Sequence, residues 1–420
     1  MHQPKVLYSG PFFNGDEIKA AVDCLLTGGW LPSGSNVARF EKEFSRKFNF
    51  SESLMVNSGS SANLVMLAAL KQYFDWPNGA EIIVSVVGFP TTVAPILQNN
   101  MVPRFVDIEW NSLNWSLDEV ENAINDKTVA IINSPVLGNP CDIDRLLSIC
   151  EAHNIQPIAD GCDSLGSKWK GQWLSDDFVA SSCSFYPAHH ITTMEGGMVS
   201  SCLPGFNKLA RSFAWWGRDC YCVGECNLLT NGTCGNRFDK WLEGYDVPVD
   251  HKYVFSTIGY NLKPLDLQGA VGSVQLKKFD EIHEKRRNNY QRIADIFQLF
   301  PSSIRVVKEN EEVECSWFGV PIVCERPNTK HALQKHLEQN GVQTRNYFAG
   351  NLLLHPGYKH LGDPKEFPNA YQVLDRVFFL GCHPGMTDND FQWIEQVIVE
   401  FLKGCSVVVD GYNWDIAGSL

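Results

Sequence analysis

Three groups of side chains in this 420-residue sequence have the types and spacing to do chemistry. The first is the adjacent pair His189 and His190, in the stretch Ser184-Phe185-Tyr186-Pro187-Ala188-His189-His190-Ile191-Thr192-Thr193-Met194-Glu195-Gly196-Gly197. An imidazole moves protons near neutral pH. Two structural histidines on a loop would read the same way, and spacing does not choose between them. The second group is Cys220, Cys222, Cys226 and Cys234, with Cys162 upstream. Four thiolates are the usual complement of a [2Fe–2S] cluster; structural zinc also takes four, so ligand type leaves iron, zinc and no metal open. The third is Asn57-Ser58-Gly59-Ser60-Ser61-Ala62-Asn63, where small residues open a helix. Such a start offers free N–H groups and hydroxyls to a phosphate, although a simple capped helix explains it equally.

The elements that must position these groups follow an alternating pattern. Residues 81–87, 104–106, 128–132 and 156–159 are β-branched or apolar runs that predict strands. Between them, 61–73, 117–125 and 142–153 have helical spacing, and Asp142 is set to cap the last. Pro77-Asn78-Gly79 and Gly138-Asn139-Pro140 supply turns. Alternation of this kind implies a parallel sheet covered by helices. From 211 to about 250 the pattern gives way to Cys, Gly and Asn, which predicts a long ordered loop or inserted subdomain. Helical spacing returns over 265–279 and 281–300. Strand-like segments at 304–307 and 316–323, then helices at 330–340 and 388–402, predict a smaller α+β unit.

Composition excludes some classes. With 44% hydrophobic and 20% charged residues the chain is an ordinary globular one. A formal charge of −13 argues against non-specific nucleic-acid binding, but not against an anionic small molecule in a local positive pocket. The first 14 residues carry Pro4, Gly10 and Pro11 and no apolar stretch, and runs such as 82–89 are far short of a membrane span. A cytoplasmic protein without membrane contact is expected. Fourteen cysteines is a high count, and a reducing compartment disfavours disulfides. Cys24, Cys150, Cys315, Cys324, Cys382 and Cys405 stand singly in apolar or periodic contexts and are assigned to packing.

Taken in order along the chain, these segments resemble the DegT/DnrJ/EryC1/StrS sugar aminotransferases. Pro187, Thr192, Thr193, Glu195, Gly196 and Gly197 align with that family's Ser-Phe-x-Pro-x-Lys-x-Ile-Thr-Thr-x-Glu-Gly-Gly segment and set His189 on its cofactor-binding lysine. Imidazole cannot form the covalent link that lysine makes with pyridoxal phosphate. The resemblance implies a pyridoxal-phosphate-dependent fold of type I. It comprises a mainly parallel seven-stranded sheet in a large cofactor domain (1–270, with a Cys-rich insertion at about 211–250) and a smaller α+β domain (271–420). It further implies phosphate contacts at Ser60, Ser61 and Ser184, and ring stacking by Phe89. Asp160 would lie at the pyridine nitrogen, where a carboxylate keeps the ring protonated as an electron sink. Asp163 stands where the family has Gln or His near the phenolic oxygen. Gly259-Tyr260-Asn261-Leu262-Lys263 matches Gly-Tyr-Asn-x-Arg, whose Asn reaches the cofactor of a neighbouring subunit, so a homodimer is expected; Lys263 replaces the arginine.

One branch of the family, the hexulose-3-dehydrases with a [2Fe–2S] cluster, shows Cys-x57-Cys-x-Cys-x7-Cys. Here 57 residues separate Cys162 from Cys220, one separates Cys220 from Cys222, and eleven separate Cys222 from Cys234. Three of the four ligands keep the spacing. The flanks of the last interval still match, so a four-residue insertion near 227–231 is expected, with Cys226 as an alternative ligand. The implied activity is pyridoxamine-phosphate-dependent loss of the C3 hydroxyl from a nucleotide-linked 4-keto-6-deoxyhexose, CDP-linked by the nearest resemblance. Electrons would come from a separate flavin or iron–sulfur reductase. No Gly-x-Gly-x-x-Gly fingerprint is present to bind a flavin or nicotinamide here. A cluster-free GDP-sugar 3-dehydratase and a non-catalytic binding protein on the same fold are the alternatives. Arg345 with the 346–350 loop, or His383 with Pro384, is open between substrate contact and structure.

Overall fold

The computed structural model describes residues 5–27, 31–220, 237–239, 242–300 and 303–404. Its strands are β1 (Glu52–Val56), β2 (Glu81–Ser85), β3 (Val102–Val106), β4 (Thr128–Asn133), β5 (Gln156–Asp160), β6 (Lys168–Trp169), β7 (Gln172–Trp173), β8 (Ala180–Ser184), β9 (Gly197–Ser201), β10 (Ile304–Val306), β11 (Val313–Glu314), β12 (Gly319–Cys324), β13 (Thr344–Asn346) and β14 (Val377–Gly381). Seven of them build one sheet in the order β1-β9-β8-β5-β4-β2-β3. The pairs from β8 through β3 are parallel, while β9 runs antiparallel to both of its neighbours.

Both faces of this sheet are covered, which is why its central strands are apolar without interruption. Side chains alternate between the faces. Ile82, Val84, Ala130, Ile132 and Ile158 join helices Gly59–Tyr73 and Phe206–Ala214 in one core. Ile83, Ile131 and Ala159 face a second core shared with helices Ile143–His153 and Phe279–Phe297. Asp142 caps the former by accepting from the Arg145 N–H at 3.0 Å.

The C-terminal part has an antiparallel sheet, β10-β12-β14-β13, packed with helices Thr329–Gln339, Pro368–Arg376 and Asp388–Gly404. The architecture is thus the expected α/β sheet of seven strands with a smaller α+β unit. Helix Asp266–Lys277 runs across position 270, so the two-part division we propose meets inside an element rather than in a linker. Helix Phe206–Ala214 holds Arg211, so the break in pattern starts later than 211. Cys222, Cys226 and Cys234 lie outside the described residues. Among the described residues, no helix is long and apolar enough to cross a membrane.

Strands β1, β8 and β9 were not anticipated. The residues of β8 and β9 are all buried, yet six of the ten are Ser or Gly, so they carry little hydropathy signal. Their hydroxyls are satisfied internally: Ser53 Oγ lies 2.8 Å from both Ser45 Oγ and Ser200 Oγ, and Ser201 Oγ donates to Val179 O at 2.6 Å. Buried polar groups persist when so bonded.

Candidate active site

A cavity of about 720 Å³ opens at the carboxyl ends of β2, β4, β5 and β8. Open parallel sheets put ligand crevices at this edge, because the loops that follow the strands converge there. Asp160, Cys162 and Asp163 come from the end of β5, Ser184 from the end of β8, and Phe89 and Thr92 from the segment after β2. Helix Gly59–Tyr73 points its N-terminus into the cavity, with Gly59 and Ser60 in the wall. First-turn N–H groups have no intrahelical partner, so this end attracts an anion.

Asp160 is the most firmly held of these groups. Its Oδ2 accepts from Asn63 Nδ2 at 2.8 Å and Thr92 Oγ1 at 2.7 Å. Its Oδ1 receives the Cys162 N–H at 3.3 Å, with Ser182 Oγ at 3.2 Å. That hydroxyl also lies 2.6 Å from Asn63 Oδ1. Asn63, Thr92 and Ser182 were missed in the sequence; their only signal is polarity at buried positions, visible once the chain is folded.

His189 and His190 separate clearly. The ring of His190 turns from the cavity, and its Nε2 lies 2.7 Å from Ser316 O. His189 lines the cavity, its Nδ1 is buried without a hydrogen-bond partner, and the nearest carboxylate atom to it is Asp163 Oδ1 at 3.7 Å. Burial, and then the charge of Arg286, pushes His189 down to about 4. Burial, and then neighbouring Asp160, pushes the Asp163 carboxyl up to about 8. Both groups are therefore neutral at pH 7: the imidazole keeps one bare ring nitrogen that can accept a proton, and the carboxylic acid is a donor. As a donor, Asp163 can do what the amide of a glutamine would do at that position.

The residues fit a phosphorylated pyridine cofactor on two observations. A Cβ at Gly59 would sit 2.5 Å from Ser184 Cβ and 2.8 Å from Ser184 Oγ, so only glycine leaves the helix N-terminus and that hydroxyl side by side. Phe89, 53% exposed at the mouth, touches Phe348 edge-on and presents a face free for stacking. Ser61 does not line the cavity: its N–H donates to the cap Ser58 Oγ at 3.1 Å and its hydroxyl lies 3.0 Å from the same oxygen. Asn261 also lies outside the wall, bonded to Lys263, whose ammonium sits 3.2 Å over the Trp216 ring. Arg345, Asn346 and Phe348 do line the cavity, and the Arg345 guanidinium stacks 3.8 Å over Tyr8; His383 does not.

Cys162 stands in the cavity wall next to Asp160, with its thiol pushed well above the usual range by burial and then by Asp160. Cys220 is half-buried and free. Among the described residues no three His, Cys, Asp or Glu side chains gather as a metal site, a set that lacks Cys222, Cys226 and Cys234.

The profile of the DegT/DnrJ/EryC1/StrS aminotransferase family matches residues 13–399. A dTDP-4-dehydro-2,6-dideoxy-D-glucose 3-dehydratase of Saccharopolyspora spinosa is 36% identical over 413 residues, covering 95% of this chain and 87% of the relative. The lipopolysaccharide biosynthesis protein RfbH of Salmonella typhimurium is 34% identical over 408 residues, 94% of this chain and 91% of its own. Among solved structures, E. coli GDP-4-keto-6-deoxy-D-mannose-3-dehydratase with bound hydrated PLP superposes with a TM-score of 0.82 at 27% identity, covering 94% of this chain and all of that one. The fold is that of pyridoxal-phosphate-dependent enzymes of type I, and the chain belongs to the DegT/DnrJ/EryC1/StrS aminotransferase family.

Proposed function

We propose that this chain is a pyridoxamine-phosphate-dependent 3-dehydratase that removes the C3 hydroxyl of a nucleotide-linked 4-keto-6-deoxyhexose. The observation that carries the reading is the imidazole of His189 in the cavity wall, opposite Asp163; the resemblance in the sequence sets this residue on the family's lysine. When bound, the cofactor supplies an amine for the sugar ketone and a ring that accepts electrons. Asp160, fixed by its donors, would hold a proton on the ring nitrogen. Gly59, Ser60 and Ser184 would bind the phosphate, and Phe89 would cover the ring. His189 would accept a proton at its ring nitrogen beside the cofactor. Burial leaves the imidazole neutral but weakly basic; next to the anionic cofactor it would rise toward the operating pH, where a base works best. Asp163, as an acid, would donate to the phenolic oxygen. Asn261 would complete the phosphate site of a second copy, which makes the working form a homodimer.

Replacing C–OH by C–H at C3 needs two electrons. Cys162, Cys220, Cys222 and Cys234, or Cys226 in place of the last, would hold a [2Fe–2S] cluster that passes single electrons from a separate reductase. The substrate nucleotide is CDP by the resemblance in the sequence; the 36% identical relative is named for a dTDP sugar, so both are to be assayed. A second reading, a cluster-free GDP-sugar 3-dehydratase, is favoured by the likeness to the E. coli enzyme and disfavoured by the cysteine spacing.

The test is an anaerobic absorbance spectrum with iron, sulfide and pyridoxamine phosphate measured on one sample. Equal iron and sulfide, with bands bleached by dithionite, are expected. Iron-free protein that binds the cofactor after attempted reconstitution would select the cluster-free reading. His189→Asn is expected to bind cofactor and to dehydrate at a residual rate about 100- to 10,000-fold below wild type.

A further inference from the structure

The side chain of Arg286 is among the largest fully buried of the described residues, at 1% exposure, and no carboxylate among them is bonded to it. Burying a guanidinium is expensive unless its donors are used. Four bonds use the terminal N–H groups and all four end on backbone carbonyls, while Nε is buried without a partner. Nη1 donates to Trp317 O at 3.3 Å and Phe318 O at 3.1 Å; Nη2 donates to Ala188 O at 3.1 Å and His189 O at 3.0 Å. The planar fork of arginine thus ties the segment that carries His189 to the one that carries Phe318, which a lysine could not do in both directions.

The Phe318 ring lies 5.0 Å from the His189 ring, tilted by 54°. Its segment is itself anchored. Ser316 O faces His190 Nε2 at 2.7 Å, Ser316 Oγ faces His283 Nδ1 at 2.9 Å, and the Ser316 N–H donates to Ser167 Oγ at 2.9 Å. On the other side the loop between β8 and β9 is held by Thr192, whose N–H donates to Gln275 Oε1 at 3.1 Å. Among the described residues, the link between these two anchored segments that also touches the peptide of His189 is Arg286, from helix Phe279–Phe297 of the smaller unit.

We infer that Arg286 is a positioning residue for His189: it sets the height of the His189 peptide and the place of the Phe318 ring against the imidazole. The inference rests on the proposal that His189 moves the proton. A displacement of about 1 Å in a group that transfers a proton can cost on the order of 100-fold in rate.

The experiment is a double-mutant cycle on the holoenzyme, with single-turnover dehydration, substrate KM and cofactor affinity read for wild type, Arg286→Met, His189→Asn and the double variant. Arg286→Met is expected to lower the dehydration rate by about 10- to 100-fold with KM and cofactor affinity within about twofold. In the His189→Asn background it should cost nothing further, because it acts through the imidazole. Equal losses in both backgrounds, or a loss confined to cofactor affinity, would overturn the inference. If His189→Asn dehydrates normally, the proposed function fails instead, a separate outcome. Should Arg286→Met not fold, Phe318→Leu keeps all four carbonyl bonds and removes the ring against His189. It is expected to give the same rate-only loss, erased by His189→Asn, and additive losses would again refute the idea.

Discussion

Replacing Asp160 by Asn changes one oxygen to an amide nitrogen, and the structure says what that must break. The carboxylate accepts from Asn63 Nδ2 and Thr92 Oγ1 on one oxygen, and from the Cys162 N–H on the other, with Ser182 Oγ 3.2 Å away. Threonine and serine hydroxyls can rotate and accept instead. The Cys162 N–H cannot. Nor can Asn63 flip, because its Nδ2 also donates to Thr91 O at 3.1 Å and its Oδ1 takes the Ser182 hydroxyl. Whichever way the new amide turns, its NH2 faces one obligate donor in a buried site. One stranded donor costs about 1–3 kcal/mol. The cofactor-free Asp160→Asn protein should therefore lose about that much stability in urea unfolding. In the loaded enzyme, loss of the charge opposite the ring nitrogen should lower dehydration by about 100- to 1000-fold, the scale of removing one preorganised electrostatic contact. Unchanged unfolding would refute the hydrogen-bond reasoning. Reduced stability with normal turnover would keep that reasoning and remove Asp160 from the chemistry.

Gly59→Ala puts a methyl 2.5 Å from Ser184 Cβ, and overpacking of that kind costs about 1–3 kcal/mol. It should weaken pyridoxamine phosphate about 5- to 100-fold by titration, and a Kd within twofold of wild type would mean that the phosphate binds elsewhere. The pH dependence follows from His189 and His383, each pushed down to about 4, and His190, held well below its usual value, all chiefly by burial. As pH falls below about 6.5 the unfolded chain takes up histidine protons that the folded one refuses, so the stability these rings contribute is present above that pH and is lost on the way to 4. Each histidine contributes about 1.4 kcal/mol per pH unit within this window. Asp163, pushed up to about 8, works the other way and favours the fold as pH falls from about 8 toward 4. Three rings outweigh one carboxyl, so urea unfolding should show a net loss of about 3 kcal/mol between pH 7 and pH 5, and stability greater at pH 5 would refute the neutral state of these rings.

The parts of this molecule that were legible in its sequence are those where burial alone chooses the residue. Strands β2, β4 and β5 are apolar on both faces because helices cover both, and their runs stand out. Around the site the choice is made differently. Strands β8 and β9 are rich in serine and glycine because their ends must pass close to the N-terminus of helix Gly59–Tyr73: a Cβ at Gly197 would fall 2.3 Å from Ser58 O. Such strands have no apolar signature, so they escaped a reading based on hydrophobic period. Asn63 and Ser182 escaped for a related reason, since nothing local shows that a helix position and a strand position 119 residues apart meet over Asp160. Arg286 is the extreme case. In sequence it is one basic residue in a run of charge on a helix, where a solvated face is the ordinary expectation. Only the fold reveals that its charge is buried and spent on four carbonyls, those of Ala188 and His189 among them. Resemblance could set His189 on the lysine position, because that comparison runs residue by residue along the chain. It could not find the group behind His189, which the chain brings there from 97 residues away.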